Sequence, residues 1–151
     1  MPLTKRAALG AAPALVAALA VGFGAAPATA QDAVTESDYE AAMQELRYLA
    51  TDTSLHIDAS YWGDVGEDSD KIRAELAKVE AFWTAQEQPQ AVEFATQAIE
   101  AARSIGRASG SQDRNAATTA LAELRSVCTS CHGEFREETD DGFRIKPSAL
   151  K

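Results

Sequence analysis

The chain is expected to fold as an all-α protein, an antiparallel four-helix bundle. Three observations predict this. Four stretches carry apolar residues at helical spacing, short polar breaks separate them, and no useful length alternates apolar and polar residues with period two.

The first helix opens at Ser37-Asp38-Tyr39-Glu40, a capping-box pattern, and carries Tyr39, Met43, Leu46, Ala50 and Ile57 to about Ile57. The second carries Val65, Ile72, Leu76, Val79 and Trp83 in near-heptad steps, with Phe82 beside them, and ends before Pro89. Gly63 and Gly66 blur its start. Pro89 suits the first turn of the third helix, which presents Val92, Ala95, Ile99, Ala102 and Ile105 to one side and is expected to stop at Gly106. After a polar loop, Arg107 to Ser111, the fourth runs from about Gln112 to Glu138 with Leu121, Leu124, Val127, Cys128, Cys131 and Phe135 on or near one face. The tail from about Asp140 shows no usable periodicity.

Residues 1–30 read as a cleaved secretory signal peptide. Lys5 and Arg6 make a short positive region, Ala7 to Ala26 is a small-residue apolar stretch, and Ala28-Thr29-Ala30 fits the A-x-A rule before Gln31. Pro13, Gly22, Gly24 and Pro27 interrupt the stretch and the polar chain resumes at once, which counts against a transmembrane anchor. Residues 31–151, about 121 in number, then make one domain with one core.

Within the fourth helix stands Cys128-Thr129-Ser130-Cys131-His132, a C-x-x-C-H run. Two thiols at this spacing add across the two vinyl groups of a haem, and the imidazole of the next residue supplies a nitrogen to the iron. On a helix Cys131 lies at i+3 and His132 at i+4 from Cys128, so all three point at one plane. One haem c, attached through Cys128 and Cys131 with His132 on the metal, is the expected cofactor. A zinc site needs four ligands, and beyond this run the chain offers only His56 and no further cysteine. A thioredoxin-like dithiol would follow a strand in a βαβ unit, whereas the flanks here read as helix. A disulfide is compatible with export but leaves His132 unexplained. Export and covalent haem attachment support each other, since attachment takes place outside the cytoplasm.

The terminal CTSCHGEFR, with Phe135 and Arg136 three and four residues beyond the histidine and three helices before it, resembles the class II c-type cytochromes. That family contains cytochrome c prime and cytochrome c-556. KVEAFW (residues 78–83) and DGFRIKP (residues 141–147) are also similar to segments of small exported cytochromes of this type. The resemblance implies a left-handed four-helix bundle, a haem held by Cys128 and Cys131, His132 as proximal ligand, and Arg136 beside that histidine, where its charge opposes loss of an electron. The other reading of Arg136 is a surface pairing with Glu134, Glu137 or Glu138.

Members of the family divide at the sixth iron position: cytochrome c-556 places a methionine from the first helix there, and cytochrome c prime leaves it open. Met43 lies on the apolar face of the first helix and is the only methionine besides Met1, so the resemblance makes it the candidate second metal ligand. A histidine and a thioether together raise the reduction potential and suit electron transfer; the alternative is a methionine that fills core. His56 lies thirteen residues further, about 20 Å along the helix, so both cannot face one iron, and it reads as a helix-end residue. Trp62, Phe82, Trp83 and Phe135 either pack on the porphyrin or serve as ordinary core.

The expected function is therefore one-electron transfer in the periplasm, the alternative being a five-coordinate protein that binds nitric oxide or carbon monoxide. No enzyme is expected, because no acid-base residue stands ready beside an open iron position. Removing Lys5 and Arg6 from 14 basic residues against 23 acidic ones takes the net charge from −9 to about −11. Nucleic acid and anionic membrane surfaces are poor partners for such a chain, so no nucleic acid is expected as partner and no stable membrane insertion after leader removal. The charge serves solubility first and steering toward a basic redox partner protein second, and the acidic run Glu134, Glu137, Glu138, Asp140 and Asp141 is read in the same order. Monomer and homodimer both fit.

Overall fold

A computed structural model describes residues 34–151, so the expected signal peptide and its cleavage site lie outside the described residues. The four helices are α1 (Glu36–Ala59), α2 (Trp62–Ala85), α3 (Pro89–Ser111) and α4 (Arg114–Phe135). Loops of two or three residues join them, which forces neighbours antiparallel; each helix packs on the next and α1 closes the ring against α4. Among the described residues no helix is long and apolar enough to cross a membrane.

The first helix starts two positions ahead of the expected box. The Thr35 hydroxyl accepts from the Asp38 N–H at 3.2 Å, and the Asp38 carboxylate accepts from the Thr35 N–H at 2.9 Å. Both frames satisfy the pattern, and the staple selects this one: Val34, before the cap, packs on the cluster that holds Tyr39 in the first turn. At the other end Ser60, with φ at 58°, terminates α1 in the left-handed conformation.

Close to that end the half-buried His56 meets the buried Asp68 of α2, Nδ1 to Oδ2 at 2.8 Å. This pairing tethers α1 to α2 far from the cysteines. The hydrogen bond to Asp68 holds the His56 pKa above its ordinary 6.5, against a counteracting effect of burial, and Asp68, Asp64 and Asp52 add favourable charge. A pKa raised by folding contributes stability that is complete below the unfolded value and is lost as pH rises through the folded one. Thermal melts from about pH 5.5 to about pH 8.5 should show the wild type losing stability relative to His56→Gln as pH rises, so that the gap between the two profiles narrows across the window. Parallel profiles would show that the pair contributes nothing through its charge.

The α2–α3 seam is the tightest. Gly63 and Gly66 do not delay α2; Gly66 faces Ser109, whose hydroxyl donates to the carbonyl of Trp62 at the start of that helix. Gly106 does not stop α3 either, and Arg107–Ser111, expected as a loop, is helical to a left-handed cap at Gln112. A Cβ at Gly106 would stand 2.8 Å from the Ser69 hydroxyl, which donates to the Ala102 carbonyl at 2.8 Å. The glycine is there to let two helices approach, a role visible only once the opposite helix is in place. Buried Ala91, Ala95, Ala98, Ala101, Ala102 and Ala108 continue the small-residue face of α3.

The fourth helix is capped by Asp113, which accepts from the Ala116 N–H, and it ends at Phe135, three residues before the expected Glu138. The rest of the chain is ordered in a way the sequence reading did not foresee. Strands β1 (Arg136–Thr139) and β2 (Gly142–Ile145) pair antiparallel around a two-residue turn, Asp140-Asp141, with Gly142 at φ 134°. A 3-10 turn, Pro147–Ala149, follows. Lys146 donates through Nζ to the carbonyls of Gly133 and Glu134, 3.1 and 2.7 Å away, and so satisfies the open end of α4. Gln88 donates to the Ala149 carbonyl, and the Lys151 N–H to the Gln86 side chain. The tail is thus a strap from α4 to the α2–α3 turn.

The core falls into two clusters. One is built on Ile57, Val65, Ile72, Leu76, Ile105, Leu121 and Leu124; the other on Tyr39, Val79, Phe82, Trp83, Ala95 and the strap residues Ile145 and Ala149. A domain of this size normally holds one contiguous core.

Candidate functional site

The interruption between the clusters is a cavity. It has a volume of about 460 Å3 and is lined by Leu76, Ala98 and Leu124 from the first cluster, by Val79 and Ala95 from the second, and by Met43, Leu46, Phe94 and Cys128. A second space, about 740 Å3, opens between α1, α4 and the strap, where Tyr39, Gln44, Phe135, Arg136, Phe143 and Arg144 line it. Met43, Arg47, Cys131 and His132 line both. Each volume lies in the range that holds a sizeable organic ligand.

The sequence explains why the walls are formed this way. Alanines on α3 allow close contact with α2 and α4, whereas α1 sets Met43, Leu46 and Ala50 toward α4 only half-buried, because the space they face is not filled by protein. Met43 and Arg47 are one turn apart on one face of α1. Cys128, Cys131 and His132 share a face of α4 as expected, and Cys131 and His132 look across at Met43 through the common space.

Electrostatics separate the rival readings of the thiols. Burial pushes both upward, Cys131 to about 11 with the nearby Cys128 adding to the effect, so both are protonated at neutral pH. A redox dithiol needs the opposite, a depressed thiol beside positive charge or a helix N-terminus. Among the described residues no group of three or more His, Cys, Asp and Glu side chains is placed to hold a metal ion, so the zinc reading finds no support either. Burial, and secondarily the charge of Arg136, lower the His132 pKa below its ordinary value. Its imidazole therefore stays neutral, the form that offers a lone pair to a metal.

Arg136 belongs to β1, not to the helix, and it makes no ion pair with Glu134, Glu137 or Glu138. Its guanidinium lies over the Phe143 ring, 4.0 Å from the centroid. His56 sits away from both cavities, paired with Asp68. Of the four aromatics in question Phe135 alone lines a cavity. Phe82 and Trp83 are core with Tyr39, and Trp62 packs on the other cluster. The sequence reading missed Arg47, Phe94, Phe143 and Arg144 as site residues. The i+4 spacing from Met43 would have found Arg47, and Asp-Asp-Gly ahead of Phe143 would have found the hairpin; Phe94 carried no signal.

The donor set and the unfilled core fit a flat, mostly apolar group fixed by two thiols and one imidazole. Fold and site thus define a helical-bundle c-type cytochrome. The sequence profile of the cytochrome c' family matches residues 14–136, and the chain belongs to that family. Membership implies a haem c cofactor and a role in electron transfer or gas binding. No curated protein and no solved structure matches the chain. The strap beyond Arg136 lies outside the matched residues.

Proposed function

We propose that this protein is an exported haem c electron carrier of the periplasm, in which Cys128 and Cys131 would hold the haem through thioether links and His132 and Met43 would ligate its iron. One observation carries the reading: Met43 of α1 and His132 of α4 line the same two cavities from facing helices. The haem supplies an iron that gains and loses one electron. The chain contributes neutral His132, a soft thioether that favours the reduced metal, and an apolar enclosure from Leu46, Leu76, Val79 and Phe94 that limits water. No reaction is catalysed, and the partner is another redox protein, matched by charge to an acidic surface.

The apolar lining also favours a second reading. If Met43 turns away from the iron, the same enclosure admits a small uncharged gas. The test is an absorption spectrum of the holoprotein, oxidised, reduced, and reduced with carbon monoxide. A low-spin ferric spectrum with the weak sulfur-to-iron band in the red, unaffected by the gas, supports the carrier. A high-spin spectrum that shifts with the gas establishes the gas-binding reading in its place, and a protein without covalent haem defeats both.

A further inference from the structure

Arg136 stands in the most acidic stretch of the chain, with Glu134, Glu137, Glu138, Asp140 and Asp141 within five residues. Among the described residues it pairs with none of them. Its guanidinium rests on Phe143 at 4.0 Å, and the adjacent Glu137 is engaged elsewhere, accepting from Arg144 Nε at 2.7 Å. Register explains both contacts. Glu137 lies opposite Arg144 in the hairpin, and Arg136, opposite Ile145, is the diagonal neighbour of Phe143. Phe143 therefore supports the guanidinium on the face that Arg136 shares with Glu138, while Glu137 and Arg144 pair on the other face of the hairpin. An exposed cation on an aromatic face is worth about as much as an exposed ion pair, so the choice between ring and carboxylate is closely balanced.

Arg136 and His132 are one helical turn apart in sequence and line the same cavity. We infer that Phe143 is a positioning residue for the reduction potential: it keeps the Arg136 charge unneutralised beside His132, where it favours the reduced iron. This rests on the haem reading above but not on the identity of the sixth ligand, and it concerns a segment outside the family match.

The test is redox potentiometry of the holoprotein at low ionic strength, where surface charge is least screened. Phe143→Leu, which removes the ring face, should lower the midpoint. At a fixed poise the reduced-to-oxidised ratio should fall on the order of threefold to tenfold. Phe143→Tyr should keep the wild-type value. In an Arg136→Gln background, itself lowered, Phe143→Leu should add no further shift. A wild-type potential in Phe143→Leu, or an equal shift with and without Arg136, would overturn the inference. The Phe143 side chain is exposed, so folding is retained and is checked by far-ultraviolet circular dichroism. A high-spin holoprotein would remove the carrier reading while leaving this comparison intact; a chain without covalent haem removes both.

Discussion

Met43→Ala is expected to turn a low-spin ferric protein into a high-spin one that binds carbon monoxide when reduced. Met43 is the only methionine besides Met1, and the cavity residues around it on α2 and α3, Leu76, Val79, Phe94, Ala95 and Ala98, have no lone pair to offer in its place. Loss of a soft ligand that favours ferrous iron should also lower the midpoint potential. The bundle itself should tolerate the change, because a half-buried side chain bordering a cavity loses less on truncation than a core residue does. Unchanged optical spectra in both oxidation states would remove Met43 from the iron and return it to the role of core filler.

Trp83→Ala should carry the largest cost in stability, about 3–5 kcal/mol, seen as a fall in Tm of about 10–20 °C in thermal unfolding. The indole is fully buried and central to an aromatic group, with ring centroids 5.0 Å from Phe135, 5.2 Å from Phe82 and 5.6 Å from Tyr39. Its contact with Phe135 links this cluster to the end of α4, so the haem absorption bands should broaden as well. Trp83→Phe, which keeps the ring plane and most of the volume, should cost about 1–2 kcal/mol. A loss below about 1 kcal/mol for the alanine variant would show that the cluster is not structural, since truncated core aromatics cost several times that.

Much of this molecule can be read from the chain. Four apolar stripes and a C-x-x-C-H run are local patterns, and local geometry turns them into helices and a shared face without help from the rest of the fold. Failures arose where a residue's role is decided by something distant in sequence. Gly106 reads as a stop, yet Ser69 on the opposite helix makes it a point of close approach. Two overlapping boxes begin α1, and Val34 against the Tyr39 cluster chooses between them. Asp-Asp-Gly is a turn signal that the search for periodicity does not use, and four-residue strands are too short for alternation to show, so the strap reads as shapeless tail. Arg47 and Phe94 acquire meaning only from the space that the four helices leave between them.

The divided core also bears on how the molecule is assembled. The α2–α3 pair is adjacent in sequence, meets through small residues and satisfies its own serine hydroxyls, so it can close early with little loop to order. The seam between α1 and α4 joins the two ends of the domain and has an unfilled space along it. It lacks the contacts to close as firmly by itself. A chain built this way would keep both thiols within reach of the attachment machinery until the cofactor arrives, and the cofactor would then act as the keystone that joins two half-cores into one.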